Sequence, residues 1–169
     1  MTTTQDWLER TREETLEPEL PIIDPHHHFW DRSGNRYLLE ELAADVAAHN
    51  VRQTVFVECS SMYRAGGPEE FRVVGETEFV QGIAAVSASG RVGELRAAGG
   101  IVGSADLCLG DRVAPVLEAQ IAAAPNRFRG IRHRLAWADF QPGRAQPHEL
   151  LGSDFRKRLC SPPRLRAHL

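Results

Sequence analysis

The sequence predicts an α/β fold, namely the first half of a (β/α)8 barrel with about four parallel strands and covering helices. Three observations predict it. β-Branched, apolar runs alternate with stretches of helical periodicity, in strand–helix–strand order. The runs are nearly continuous rather than alternating with polar residues, which is the pattern of a parallel sheet. The first run ends in Asp24-Pro25-His26-His27-His28, with no Gly-rich loop behind it. A doubly wound nucleotide-binding sheet would carry such a loop, whereas a barrel places its chemistry at the C-terminal ends of its strands.

Taken in order, residues 4–17 read as a short charged helix with Thr4 as cap and Pro18 as stop. Strand one covers about 21–28. A helix over 38–50 carries Leu38, Leu39, Leu42, Val46 and Ala47 at helical spacing. The β-branched run Thr54 to Cys59 is strand two, followed by a Ser- and Gly-rich loop over 60–67. Helix 76–87 shows an apolar stripe of Phe79, Ile83 and Val86. Strand three covers Gly100 to Leu107. A helix from Asp111 to Ala124 carries Val113, Leu117 and Ile121, with Pro115 in its first turn, where a missing N–H costs nothing. Strand four covers Arg127 to His133.

At 169 residues and 42% hydrophobic content the chain can bury one core, so one domain over 1–169 is expected. A net charge of −3 with scattered arginines argues against a nucleic-acid partner. No apolar run approaches membrane-spanning length, and the polar start carries no signal-peptide core. Three widely spaced cysteines without a C-x-x-C pair point to a reducing, cytoplasmic setting. The expected partner is a small-molecule substrate.

The histidine run carries the chemistry. Side chains alternate along a strand, so His26 and His28 face one way and His27 the other. Two such imidazoles, about 6–7 Å apart at Cα, can converge on one divalent metal at about 2.0–2.1 Å. The plainer alternative is a structural histidine cluster. Asp24 shares the parity of the pair and is expected either to orient an imidazole or to cap the strand.

Four segments resemble the amidohydrolase-related family, the metal-dependent hydrolase branch that includes sugar lactonases and related decarboxylases. They are Ile23 to Asp31, Thr54 to Cys59, Val74 to Val80, and Phe128 to His133, and the likeness extends over residues 20–157. The resemblance implies a barrel, hydrolysis of a lactone ester or amide in a small acidic substrate by activated water, and metal ligation by His26 and His28. The ion is divalent, zinc by its donors, although some lactonase relatives work without metal. The resemblance also places Arg132 and His133 on the substrate side, where an arginine can grip a carboxylate in bidentate fashion. Adjacent strand residues face opposite ways, so these two are not expected to point inward together. Glu58 and Trp30 complete the expected substrate-binding set. A carbon–carbon lyase of the same superfamily is the alternative reading, and a non-enzymatic fragment a further one.

The family pattern continues with histidines on the fifth and sixth strands and an aspartate general base on the eighth, which lie beyond the strands read here. His148 and His168 sit in no strand-like run. From Arg158 onward the composition changes and apolar periodicity disappears. A back-translation of 158–169 read one nucleotide on restores an Ala/Leu helical pattern, so a frame-shifted tail and an inactive, truncated barrel are expected. Half a barrel leaves two open sheet edges, which admit homo-oligomers or aggregation.

Overall fold

The computed structural model describes residue 10, residues 13–134 and residues 152, 153 and 156. The expected 158–169 tail, His148 and His168 lie outside the described residues, as does most of the expected 4–17 helix. Its described end, 13–17, is not helical, and Leu16 is 95% exposed with no apolar surface to cover.

Four strands form one parallel sheet: β1 (Ile22–His27), β4 (Val51–Val57), β5 (Arg96–Gly103) and β6 (Phe128–Ile131), side by side in that order. Between β1 and β4 the chain makes a small antiparallel hairpin, β2 (Trp30–Arg32) with β3 (Asn35–Tyr37), and then helix α1 (Leu39–Asp45). Helix α2 (Val74–Ala88) links β4 to β5, and α3 (Val113–Ala123) links β5 to β6. Each strand is laid beside its predecessor without a reversal of direction across the sheet. Right-handed crossovers in such an order put the connecting helices on one face. The sequence reading of an α/β parallel sheet therefore holds.

The core lies between that sheet face and the helices. Phe56 of β4 and Ile101 of β5 are fully buried against Leu42 of α1 and Val80 and Ala84 of α2. On the other face, a side chain at Gly100 would point at Val55 and Arg129. Ile23 on the edge strand is 61% exposed.

Several boundaries differ from the sequence reading for identifiable reasons. β4 starts at Val51 rather than at Thr54, because pairing with β1 (Ile22 opposite Val51) recruits the polar Arg52 and Gln53. β5 starts at Arg96 and ends at Gly103, four residues early at both ends. Its first half is Ala- and Gly-rich, with Ala98 at φ 50°, and its pairing with β4 shifts register there. α1 stops at Asp45, five residues early. The apolar stripe on α2 lies one residue on from the expected one: Val80, Ala84 and Ser87 are buried, and Val86 is 42% exposed. Small residues at Ala84 and Ser87 let the helix approach the sheet, and Ser87 Oγ donates to Leu95 O while accepting Ala97 N–H. The β2–β3 hairpin was not expected. Its signal is the Ser33-Gly34 pair, a two-residue loop with Gly34 at φ 70°.

Gly75, in the first turn of α2, lies against the chain that leaves β4. A Cβ there would fall 2.6 Å from Met62 O and 2.7 Å from Arg64 N, both backbone atoms that cannot rotate aside. Gly75→Ala is therefore expected to destabilise the fold by about 3 kcal/mol, the upper part of the overpacking range, measured as a lower urea midpoint. Gly82 has open space at its Cβ, so Gly82→Ala serves as the control and should not destabilise.

Candidate active site at the C-terminal ends of the strands

Parallel strands bring their C-terminal ends to one edge of the sheet, and the residues singled out from sequence gather there. β1 delivers the histidines. Asp24 pairs with Thr54 and His27 with Phe56, so β1 spends an extra residue between these pairs. Pro25 lies in that irregular stretch and has no N–H for a ladder; an edge strand with a bulge tolerates it.

His27 turns into the core, as the alternation predicts. It is 7% exposed, sits edge-on to Phe29 at 4.6 Å and shares a hydrogen with Thr54 Oγ1 at 2.7 Å. Thr54 Oγ1 also accepts Ala98 N–H at 2.9 Å, which links three strands through one hydroxyl. Burial lowers the His27 pKa to about 4, so the ring is neutral at physiological pH.

His26 and His28 come together on the other side, their ring centroids 4.9 Å apart and nearly perpendicular. His28 Nδ1 lies 2.6 Å from Val57 O. A carbonyl can only accept, so Nδ1 carries the proton and donates it. The lone pair is thereby left on Nε2, the arrangement in which a carbonyl behind the ring orients an imidazole for a metal. Burial holds the His28 pKa below its usual value, which favours the neutral, ligating form. Asp24 does not orient a ring. Its Oδ1 accepts the backbone N–H of His26 at 3.0 Å and stiffens the strand end instead. Trp30 stands beside the pair, 6.4 Å from His28. It stacks on Tyr37 at 5.4 Å and donates from Nε1 to Asn35 Oδ1 at 2.9 Å.

Glu58 follows β4 and is 1% exposed. Its carboxylate accepts Arg132 Nε at 2.7 Å and Arg134 Nε at 2.6 Å, and Arg134 Nη2 closes a bidentate fork on the second oxygen. Arg132 Nη2 donates to Glu58 O, and Arg134 Nη2 also reaches Ser60 Oγ at 3.0 Å. Burial by itself would push the Glu58 carboxyl up. Hydrogen bonds from Arg134 and Arg132, and their charges, outweigh it and hold the group below the usual carboxylate range. Glu58 and Arg132, both members of the expected substrate-binding set, pair with each other. The Nε edge of each guanidinium is used, and the Nη1 corner remains as the part that can face a ligand.

His133 and Arg132 have different partners: Arg132 turns to Glu58, and His133 to the backbone after β5. His133 Nδ1 lies 3.2 Å from both Ala105 O and Leu107 N, in the turn after β5. Beneath the loop after β4, the buried Glu76 accepts the N–H groups of Cys59 (3.0 Å) and Ser61 (2.7 Å) through Oε1. That loop holds Ser60 at φ 61° and Met62 at φ 53°, left-handed conformations that cost non-glycine residues about 1–3 kcal/mol each. Glu76 thus clamps a strained turn whose first residues include Glu58. Cys59 ties the same turn to the histidine strand, its thiol donating to Phe29 O at 3.2 Å; burial pushes its pKa up to about 11, an unreactive thiol.

Sequence reasoning missed Arg134 and Glu76. Arg134 had a signal, since it lies two residues from Arg132 and shares its parity. Glu76 had none, because a glutamate in the first turn of a helix is ordinarily a solvated residue.

The donors at this edge fit a divalent ion in part. His26 and His28 supply two imidazoles, and among the described residues no third histidine, cysteine or carboxylate joins them in a metal-sized cluster. No family model, no curated protein and no solved structure matches this chain. No helix among the described residues is long and apolar enough to cross a membrane.

Proposed function

We propose that this strand edge is the site of a metal-dependent hydrolase of the amidohydrolase-related type, acting on a lactone ester or amide of a small acidic substrate. The observation that carries this reading is the His26–His28 pair, with rings 4.9 Å apart and His28 Nδ1 held by Val57 O, which leaves the lone pair on Nε2. Support comes from the sequential order of the parallel sheet, in which each strand lies beside its predecessor as in a (β/α)8 barrel. A divalent ion held by His26 and His28, zinc by donor type, would polarise the substrate carbonyl and acidify a water. Arg132 and Arg134, braced by Glu58, present their remaining N–H groups to a substrate carboxylate. Trp30 walls the side next to His28.

Catalytic zinc normally takes three protein ligands, and two imidazoles make a weaker site. Turnover by this chain alone is therefore expected to be slow. The test incubates zinc-loaded protein with lactones of sugar acids and dicarboxylic acids and follows ring opening by proton NMR over hours. Ring opening should exceed the background, disappear with chelator and disappear in His26→Ala and His28→Ala. Arg132→Ala should raise KM for acidic lactones more than for neutral ones. Equal rates in zinc-loaded native protein, chelated protein and the histidine variants would overturn the proposal. Carbon dioxide release from carboxylated substrates in the same assay would favour a lyase instead.

A further inference from the structure

We propose that Asp106, Cys108 and His133 form a second metal-binding site, separate from the histidine pair and suited to zinc. One donor atom from each residue lies within 4.8 Å of the others. Tetrahedral ligands with bonds of about 2.0–2.3 Å stand about 3.3–3.8 Å apart, so closing the site takes a contraction of about 1 Å. Rotation of the two outer side chains can supply it, because Asp106 is 56% exposed and Cys108 is exposed.

The backbone already holds the donors in register. Asp106 Oδ1 accepts Cys108 N–H at 2.8 Å, which fixes the turn, and lies 4.0 Å from His133 Nδ1. The His133 ring, with its side chain 12% exposed, is seated against Ala105 O and Leu107 N of the same turn. The β5 end is itself anchored from below: the buried Gln120 of α3 donates to Ser104 O at 2.8 Å and accepts from Thr77 of α2 at 2.8 Å.

Thiolate, imidazole and carboxylate donors together select a borderline-soft ion over magnesium or calcium. Three protein ligands leave a fourth position for water or a small ligand. Binding would tie the turn after β5 to the end of β6 and release the Cys108 proton. The two sites share no donor: neither His26 nor His28 belongs to this cluster.

Cobalt(II) separates the sites, since only this one contains sulfur. Adding cobalt to the reduced full-length chain should produce a near-ultraviolet thiolate-to-cobalt charge-transfer band, and zinc should displace it. Cys108→Ser should abolish the band, and Asp106→Asn should weaken cobalt binding by on the order of tenfold or more. Cys160→Ser and the double variant His26→Ala/His28→Ala should keep it. Because Asp106 and Cys108 are exposed, their variants should retain the native circular dichroism, so loss of the band reports ligation and not unfolding. Absence of the band in the native chain, its survival in Cys108→Ser, or its loss in Cys160→Ser would overturn the site.

Discussion

Replacing Glu58 with alanine is expected to destabilise the protein by about 3 kcal/mol, the low end of the range for removing one partner of a buried ion pair. The carboxylate is 1% exposed and holds two guanidinium groups at once. Without it, Arg132 and Arg134 face each other across a partly buried space, and each must turn to water or stay unpaired. Their side chains are 35% and 22% exposed, which offers some escape and keeps the cost from reaching the top of the range. The urea midpoint should fall accordingly. The pH dependence has a definite sign. Because the folded-state pKa of Glu58 is depressed, its ion pairs contribute fully above the unfolded value of about 4.3 and are lost as pH falls below it. Native protein should therefore lose stability on acidification through that window, and Glu58→Gln should lose less. An unchanged midpoint in Glu58→Ala would show that both arginines are satisfied elsewhere.

The second large effect concerns metal at the histidine pair. His28→Ala removes an imidazole whose tautomer and direction are already set by Val57 O, so it should abolish zinc binding at this position. His26→Ala leaves the oriented His28 in place and should retain a weak, single-imidazole affinity. Trp30 lies 6.4 Å from His28 and offers a local readout. With Trp7 and Trp137 replaced by phenylalanine, cobalt or copper should quench Trp30 fluorescence in otherwise native protein. The quenching should be lost in His28→Ala and shifted to higher metal concentration in His26→Ala. Quenching that survives in the double variant would place the metal elsewhere.

The element order was legible in the sequence because parallel strands and helices differ in period and composition. Strand parity sets His27 opposite to His26 and His28, while which side is buried, His27 at 7% exposure, comes from the packing. What sequence could not supply was long-range partnership. Glu58 and Arg132 are 74 positions apart and meet only because β5 alone separates the strands that carry them. The arginine read from sequence as a grip for substrate is also braced by an internal carboxylate, which no local pattern announces. His133 and Cys108 likewise meet through the arrangement of two strand ends rather than through any motif. Strand starts were misjudged where pairing, not side-chain type, decides them: Arg52 and Gln53 enter β4 because β1 lies alongside.

Zinc-edge anomalous scattering from crystals of the full-length chain grown with zinc tests the histidine site most directly. A peak between the His26 and His28 rings, at about 2.1 Å from Nε2 of His28 and with Nδ1 still on Val57 O, is the expected result. Zinc-containing crystals with no peak between those rings would contradict it.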